Sequence, residues 1–228
     1  DFLYSQTFPA YNKFKSQSKL ITGTSEYDEI VETGFNIRDA INAYYDGRGE
    51  ENPTSNFQWE FVLVDDDQTK NAWCMPGGKI AFYSGILPIA KNKNGMGSIM
   101  GHEIAHAVAR HSAERASTAM LADLGTMALE QLVLGQRLPK AAGYVRQFGL
   151  NLPFNRRQES EADYLGLIFM SLAGYDVNES YKIWERMKED SGSGPAEFFS
   201  THPSPDNRIK KLKEWIPLVN AQYPAIKV

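Results

Sequence analysis

The chain holds one cysteine, Cys74, in 228 residues. That excludes an intrachain disulfide and any zinc site built on cysteine, so a metal would have to be held by histidine and carboxylate. Histidine is nearly as scarce, at four. No charge of one sign prevails: a net charge of -4 gives no electrostatic reason to expect a nucleic acid partner. Every long apolar run is broken by charges or turn residues, so no transmembrane helix is expected. There is no internal repeat and no low-complexity tract. No signal peptide is visible, and the first residue is Asp1 rather than Met, so an upstream segment is expected to have been removed or trimmed. What is present is ordinary for a globular protein. With 42% hydrophobic and 23% charged residues, the chain can bury a substantial core as one large domain or two small ones.

Along the chain, residues 1–24 mix aromatics with Lys and Ser and read as an arm or short helix packing on the body. Ser25-Glu26-Tyr27-Asp28 resembles a helix start, and apolar residues from Ile30 to Tyr45 continue at helical spacing until Gly47. Gln58 to Val64 reads as a strand. Asn71–Met75 and Lys79–Tyr83 flank Pro76-Gly77-Gly78 as a hairpin, and Pro76, which cannot donate to a ladder, favours a sheet edge. Helices are expected over Gly95–Ala116, from Asn155 to about Gly174, over Asn178–Asp190 and over Asp206–Trp215, with a tail after the last. Residues 117–150 are rich in Met, Leu, Ala and Gly and read as largely apolar helices, either core or a membrane-touching or mobile lid. Residues 191–195 read as a flexible loop. The fold class expected is α+β, mainly helical.

The chemistry concentrates in His102-Glu103-Ile104-Ala105-His106, which fits H-E-x-x-H. On a helix, positions i and i+4 share a face about 6 Å apart along the axis, so both imidazoles can reach one metal ion. Glu103 sits beside them as a general base for a metal-held water. The alternative is a surface helix with two incidental histidines. With four histidines in 228 residues, roughly 0.005 such matches arise by chance.

A catalytic zinc takes three protein ligands and keeps one position open. His111 lies nine residues after His102, and on a continued helix it faces the opposite side. A carboxylate on another helix is the better third ligand. Glu159 and Asp163 are four apart on one face, so Glu159 can bind the metal while Asp163 accepts an N–H from a ligand histidine. The same acids also suit a solvated helix start. Glu161 points about 200° away from Glu159.

Taken together, G-H-E-I-A-H (101–106), N-R-R-Q-E-S-E-A-D-Y-L-G (155–166) and T-H-P-S-P-D-N-R-I (201–209), with N-A-W-C-M-P-G-G-K-I (71–80) upstream, resemble a known family. It is the zinc metallopeptidase family that includes the CAAX prenyl protease, HtpX and BepA, a gluzincin group with a downstream E-x-x-x-D. The resemblance spans roughly residues 58–215 in four ordered motifs. Asn155 stands where the family often has Ser, which leaves the metal-binding Glu unaffected.

The resemblance implies a zincin-like metalloprotease domain with a small β-sheet or hairpin over the active-site helix. It implies one Zn2+ per chain on His102, His106 and Glu159, Glu103 as catalytic acid/base, and Asp163 behind a ligand histidine. The H-P segment of the family lies close to the catalytic centre, which makes His202 a catalytic candidate. It would act either as an oxyanion donor or as a gate on the open zinc position, with a buried structural histidine as the plain alternative. Asn71, Ala72, Trp73, Cys74 and Met75 are the candidate edge strand for an extended substrate; a capped hairpin with no partner is the other reading.

The expected organisation is a single metallopeptidase domain over 1–228, with a helical arm at 1–57 and the catalytic core at 58–228. Without multiple spans or a helical-repeat domain, it looks like a compact soluble catalytic domain. The expected function is zinc-dependent endopeptidase cleavage of extended or misfolded segments in envelope quality control. Two alternatives are a zinc-containing chaperone without turnover and a hydrolase of non-peptide amides. The expected location is periplasmic or peripherally membrane-associated, with the mitochondrial intermembrane space as the alternative.

Overall fold

A computed structural model describes residues 2–115, 154–190, 198, 201–203 and 205–226. The apolar segment at 117–150 and the loop at 191–195 lie outside the described residues.

The fold is α+β with helices predominating, built around a four-stranded sheet of order β1-β2-β4-β3. β1 is Leu20–Ile21, β2 Glu60–Val64, β3 Ala72–Met75 and β4 Lys79–Tyr83. β3 and β4 form the expected hairpin, closed by Gly77 and Gly78 at φ 90 and 80, a conformation that suits glycine. β2 runs parallel to β4, with Phe61 opposite Ile80, and β1 adds antiparallel to β2. β3 is left at the edge.

Both faces of the sheet are covered, which is why its strands read as nearly continuous apolar runs. On one face Phe61, Leu63, Ala72, Cys74, Ile80 and Phe82 belong to the main core. On the other, Val62, Trp73, Met75 and Ala81 pack with Tyr11. Tyr11 comes from α1 (Phe2–Gln17), the expected arm. Phe14 of α1 meets Trp73 edge-on at 4.9 Å, and Thr7 Oγ1 donates to the Pro76 carbonyl.

The main core is shared by α2 (Ser25–Arg48), α4 (Lys93–Val108), α5 (Arg156–Leu172), α6 (Glu179–Asp190) and α7 (Pro205–Gln222); a short α3 (Leu87–Ala90) leads into α4. α2 starts where expected, on a Thr24 cap, and runs through Gly47 to a left-handed Gly49. Its Ile30, Ile37, Ala40 and Ile41 enter the same core as α4. α4 is shorter than the expected Gly95–Ala116: it begins on the Asn92 cap and ends at Val108, and Arg110 then takes φ 58. α7 is longer than expected, because the apolar spacing Leu212, Ile216, Val219 carries it past Pro217.

One crossing positions the functional residues. Where α4 meets α5, Gly101 and Gly166 face each other. A Cβ on Gly101 would lie 3.1 Å from the Gly166 carbonyl oxygen, and one on Gly166 3.1 Å from the His102 amide nitrogen. Any larger residue at either position would wedge the helices apart. The missing side chains let the histidines of α4 approach the carboxylates of α5.

Candidate metal centre

His102, Glu103 and His106 all lie on the buried stretch of α4. Glu159 sits in the first turn of α5, after an Asn155 cap closed by Gln158 into a capping box. A helix N-terminus favours a carboxylate, but Glu159 and Asp163 are buried, so the solvated-start reading does not hold. Asp163 follows one turn later.

The structure brings His102, His106, Glu159 and His202 into one buried cluster, each with a ligand atom within 4.8 Å of the others. Nε2 of His102 lies 3.1 Å from Nε2 of His106 and 3.2 Å from Nδ1 of His202. Glu159 Oε1 lies 3.0 Å from that His202 nitrogen and 3.4 Å from His106 Nε2. A tetrahedral ion with bonds of about 2.0–2.1 Å sets its ligand atoms about 3.3 Å apart. The four separations of 3.0–3.4 Å are close to that spacing, while His102 Nε2 lies 3.7 Å from Glu159. Three imidazole nitrogens and one carboxylate oxygen are donors that suit zinc, and the absence of an all-oxygen cage argues against calcium or magnesium.

Burial first, and for His102 also Arg208, holds the His102 and His106 imidazoles below their ordinary range, and so neutral. Neutral imidazole is the form that binds metal. Asp163 Oδ1 lies 3.0 Å from His102 Nδ1, the position of a carboxylate that orients a ligand ring.

Arg208 of α7 is buried and binds both carboxylates. It donates to Asp163 from Nε at 2.7 Å and from a terminal nitrogen at 2.5 Å, and it pairs with Glu159. Its guanidinium lies 3.7 Å over the Trp184 ring. Burial opposes charge on Glu159, yet Arg208 and His202 hold its carboxyl well below the usual range. Asp163 is lowered in the same way, burial being outweighed by Arg208.

Glu103 differs. Burial pushes its carboxyl up to about 7, against the pull of His202. Its Oε1 makes no hydrogen bond among the described residues, although His202 Nε2 lies 3.3 Å away. A buried oxygen without a donor, beside the cluster, is placed to accept a proton from something that binds there.

His202 is fixed by two rings, Phe198 at 4.3 Å and Phe154 at 5.2 Å, both stacked on it. Phe154 also stacks on His106 at 3.6 Å. Neither phenylalanine stands out in the sequence, since no spacing links them to the histidines. His111 overturns the expectation that it faces away. The helix stops before reaching it, and the Arg110 turn brings its Nδ1 to 2.9 Å from His106 Nδ1.

The candidate substrate strand, Asn71 to Met75, borders the site. Burial and then Glu103 push the Cys74 thiol well up. The Tyr83 amide donates to the Asn71 carbonyl, so in this register residues 71, 73 and 75 pair with β4 while the backbone groups of Ala72 and Cys74 point away from β4. The Ala72 amide is taken by the Asn71 side chain. The outward donor is therefore Cys74, not Trp73.

Comparisons with known proteins identify the family of the chain. The chain is 43% identical over 166 residues to the mitochondrial metalloendopeptidase OMA1 of Schizosaccharomyces pombe, covering 72% of this chain and 48% of that protein. It is 36% identical over 211 residues to the protein of the same name from Saccharomyces cerevisiae, covering 86% and 55%. The beta-barrel assembly-enhancing protease of Yersinia pestis is 28% identical over 166 residues, covering 68% and 34%. The chain thus spans about half the length of the first two relatives. Residues 36–216, more than half of the chain and the span that contains the whole cluster, match the model for peptidase family M48, and the chain belongs to that family.

Proposed function

We propose that the protein is a zinc-dependent endopeptidase acting on extended protein segments. The observation that carries this is the close cluster of His102, His106, Glu159 and His202 beside a buried carboxylate whose Oε1 accepts no hydrogen bond among the described residues. His102, His106 and Glu159 would hold the ion. When bound, zinc supplies Lewis acidity, polarising a peptide carbonyl and making water reactive near neutral pH. Glu103 takes the proton from the attacking water and returns it to the leaving amine. Asp163 fixes the His102 ring, and Arg208 holds Glu159 and Asp163 ionised without touching substrate. A purely structural or chaperone-type site has no need of a base in Glu103's position, so binding without turnover is not favoured.

The substrate is read as an extended strand added to β3, through main-chain bonds that tolerate many sequences. Cys74→Pro removes the outward donor at an edge position where proline is tolerated. A loss of one hydrogen bond is expected to raise KM about three- to tenfold with kcat little changed. Trp73→Pro instead cuts a ladder bond to β4. An unchanged KM in folded Cys74→Pro would refute the pairing.

His202 is read as a gate. A catalytic zinc needs an open fourth position, and His202 Nδ1, 3.2 Å from His102 Nε2 and 3.0 Å from Glu159 Oε1, is close enough to the proposed ligands to fill it. His202→Ala is expected to raise peptidase activity several-fold while zinc is retained. A fall in kcat of about 10²–10³ would instead assign His202 to oxyanion stabilisation, and no change in activity or zinc affinity would exclude both roles. The mitochondrial names of the OMA1 relatives favour the mitochondrial alternative over the bacterial envelope, with protein quality control as the setting.

A further inference from the structure

We infer that His111 and Glu161 form a positioning relay for the metal ligand His106. This rests on the zinc reading of the cluster and adds two residues to it. Nε2 of His106 points into the cluster, 3.1 Å from His102 Nε2. With that nitrogen committed to a metal, the ring proton of His106 must sit on Nδ1. Nδ1 lies 2.9 Å from His111 Nδ1, so His111 accepts there and carries its own proton on Nε2. Nε2 of His111 in turn lies 3.4 Å from a carboxylate oxygen of Glu161. With Nε2 of His106 committed, the two hydrogen bonds fix the tautomers of both rings, and no proton is left over.

The two ligand histidines are thus oriented by different means. His102 meets a carboxylate directly, Asp163 at 3.0 Å. His106 reaches one through an interposed imidazole. The relay depends on the end of α4: only because the helix stops at Val108 and Arg110 adopts φ 58 does His111 fold back onto His106. His111 is buried, whereas the Glu161 side chain is 49% exposed, so the relay runs from the metal cluster to the surface. A hydrogen bond of this kind orients the ligand ring and raises its basicity, and its loss weakens metal binding about 10–100-fold.

The test is zinc affinity, measured by competition with a chelator in the full chain, together with the ring-nitrogen NMR spectrum of the zinc-loaded protein. His111→Leu is expected to weaken zinc binding about 10–100-fold. His111→Asn, which keeps an acceptor, recovers most of that loss. Glu161→Gln, at a half-exposed site that leaves folding intact, weakens it about two- to fivefold by removing the charge from the last bond. The spectrum is expected to show His111 protonated on Nε2 alone. A His111 ring protonated on Nδ1, or zinc affinity within twofold of wild type in both folded His111→Leu and Glu161→Gln, overturns the relay. If His111→Leu does not fold, the tautomer and the Glu161→Gln affinity decide between the same two results. Wild-type protein that binds no zinc would instead refute the zinc reading itself.

Discussion

Replacing Glu103 by glutamine is expected to leave the fold and the bound zinc unchanged and to lower kcat for peptide cleavage by about 10²–10⁴, the usual contribution of a positioned acid–base group. Glutamine is nearly isosteric, so the packing around this 3% exposed residue is kept. It cannot take up the proton that the attacking water must lose. The expectation is specific because Glu103 is not itself one of the clustered ligand residues and because its Oε1 accepts no hydrogen bond among the described residues. Zinc content by elemental analysis and turnover of an unfolded protein such as casein read the two halves separately. Wild-type turnover in a zinc-loaded Glu103→Gln variant would show that the base lies elsewhere.

Arg208→Met is expected to cost about 3–5 kcal/mol of stability in the metal-free protein, as when one partner of a buried ion pair is removed. Arg208 is buried between Asp163 and Glu159. Methionine preserves much of the volume over Trp184 but leaves two carboxylates without their cation. Zinc would offset part of this by neutralising Glu159, so the penalty should shrink when the ion is bound. Denaturant unfolding in chelator and in zinc measures both values. A loss below about 1 kcal/mol in chelator, the worth of a surface pair, would mean that Arg208 does not hold the site together.

The local features of the fold were legible in the sequence. The acidic start at residues 25–28, the turn at Gly77-Gly78 and apolar spacing place the helix starts and the hairpin to within a few residues, but not the ends of α4 and α7. The parallel pairing of β2 with β4 was not legible, since it joins segments with no local signal for register. The error at His111 has a related origin: a helical pattern was extended past Val108, where neither glycine nor proline marks the stop. His102, Glu103 and His106 could be found because spacing on a helix is itself geometry; Glu159, on another helix, was an open candidate that the family resemblance singled out. Phe154, Phe198 and the two-carboxylate grip of Arg208 depend on distant segments meeting, and single-sequence patterns do not carry that information.

The most direct measurement is the zinc content of the folded chain and of its His106→Ala variant, after dialysis against metal-free buffer. The account predicts one zinc per chain in the wild type. In the variant, which loses one of the three proposed ligands, zinc content is expected to fall well below one per chain even with His202 still in the cluster. A folded wild-type chain without zinc, or a variant that keeps its full complement, would contradict it.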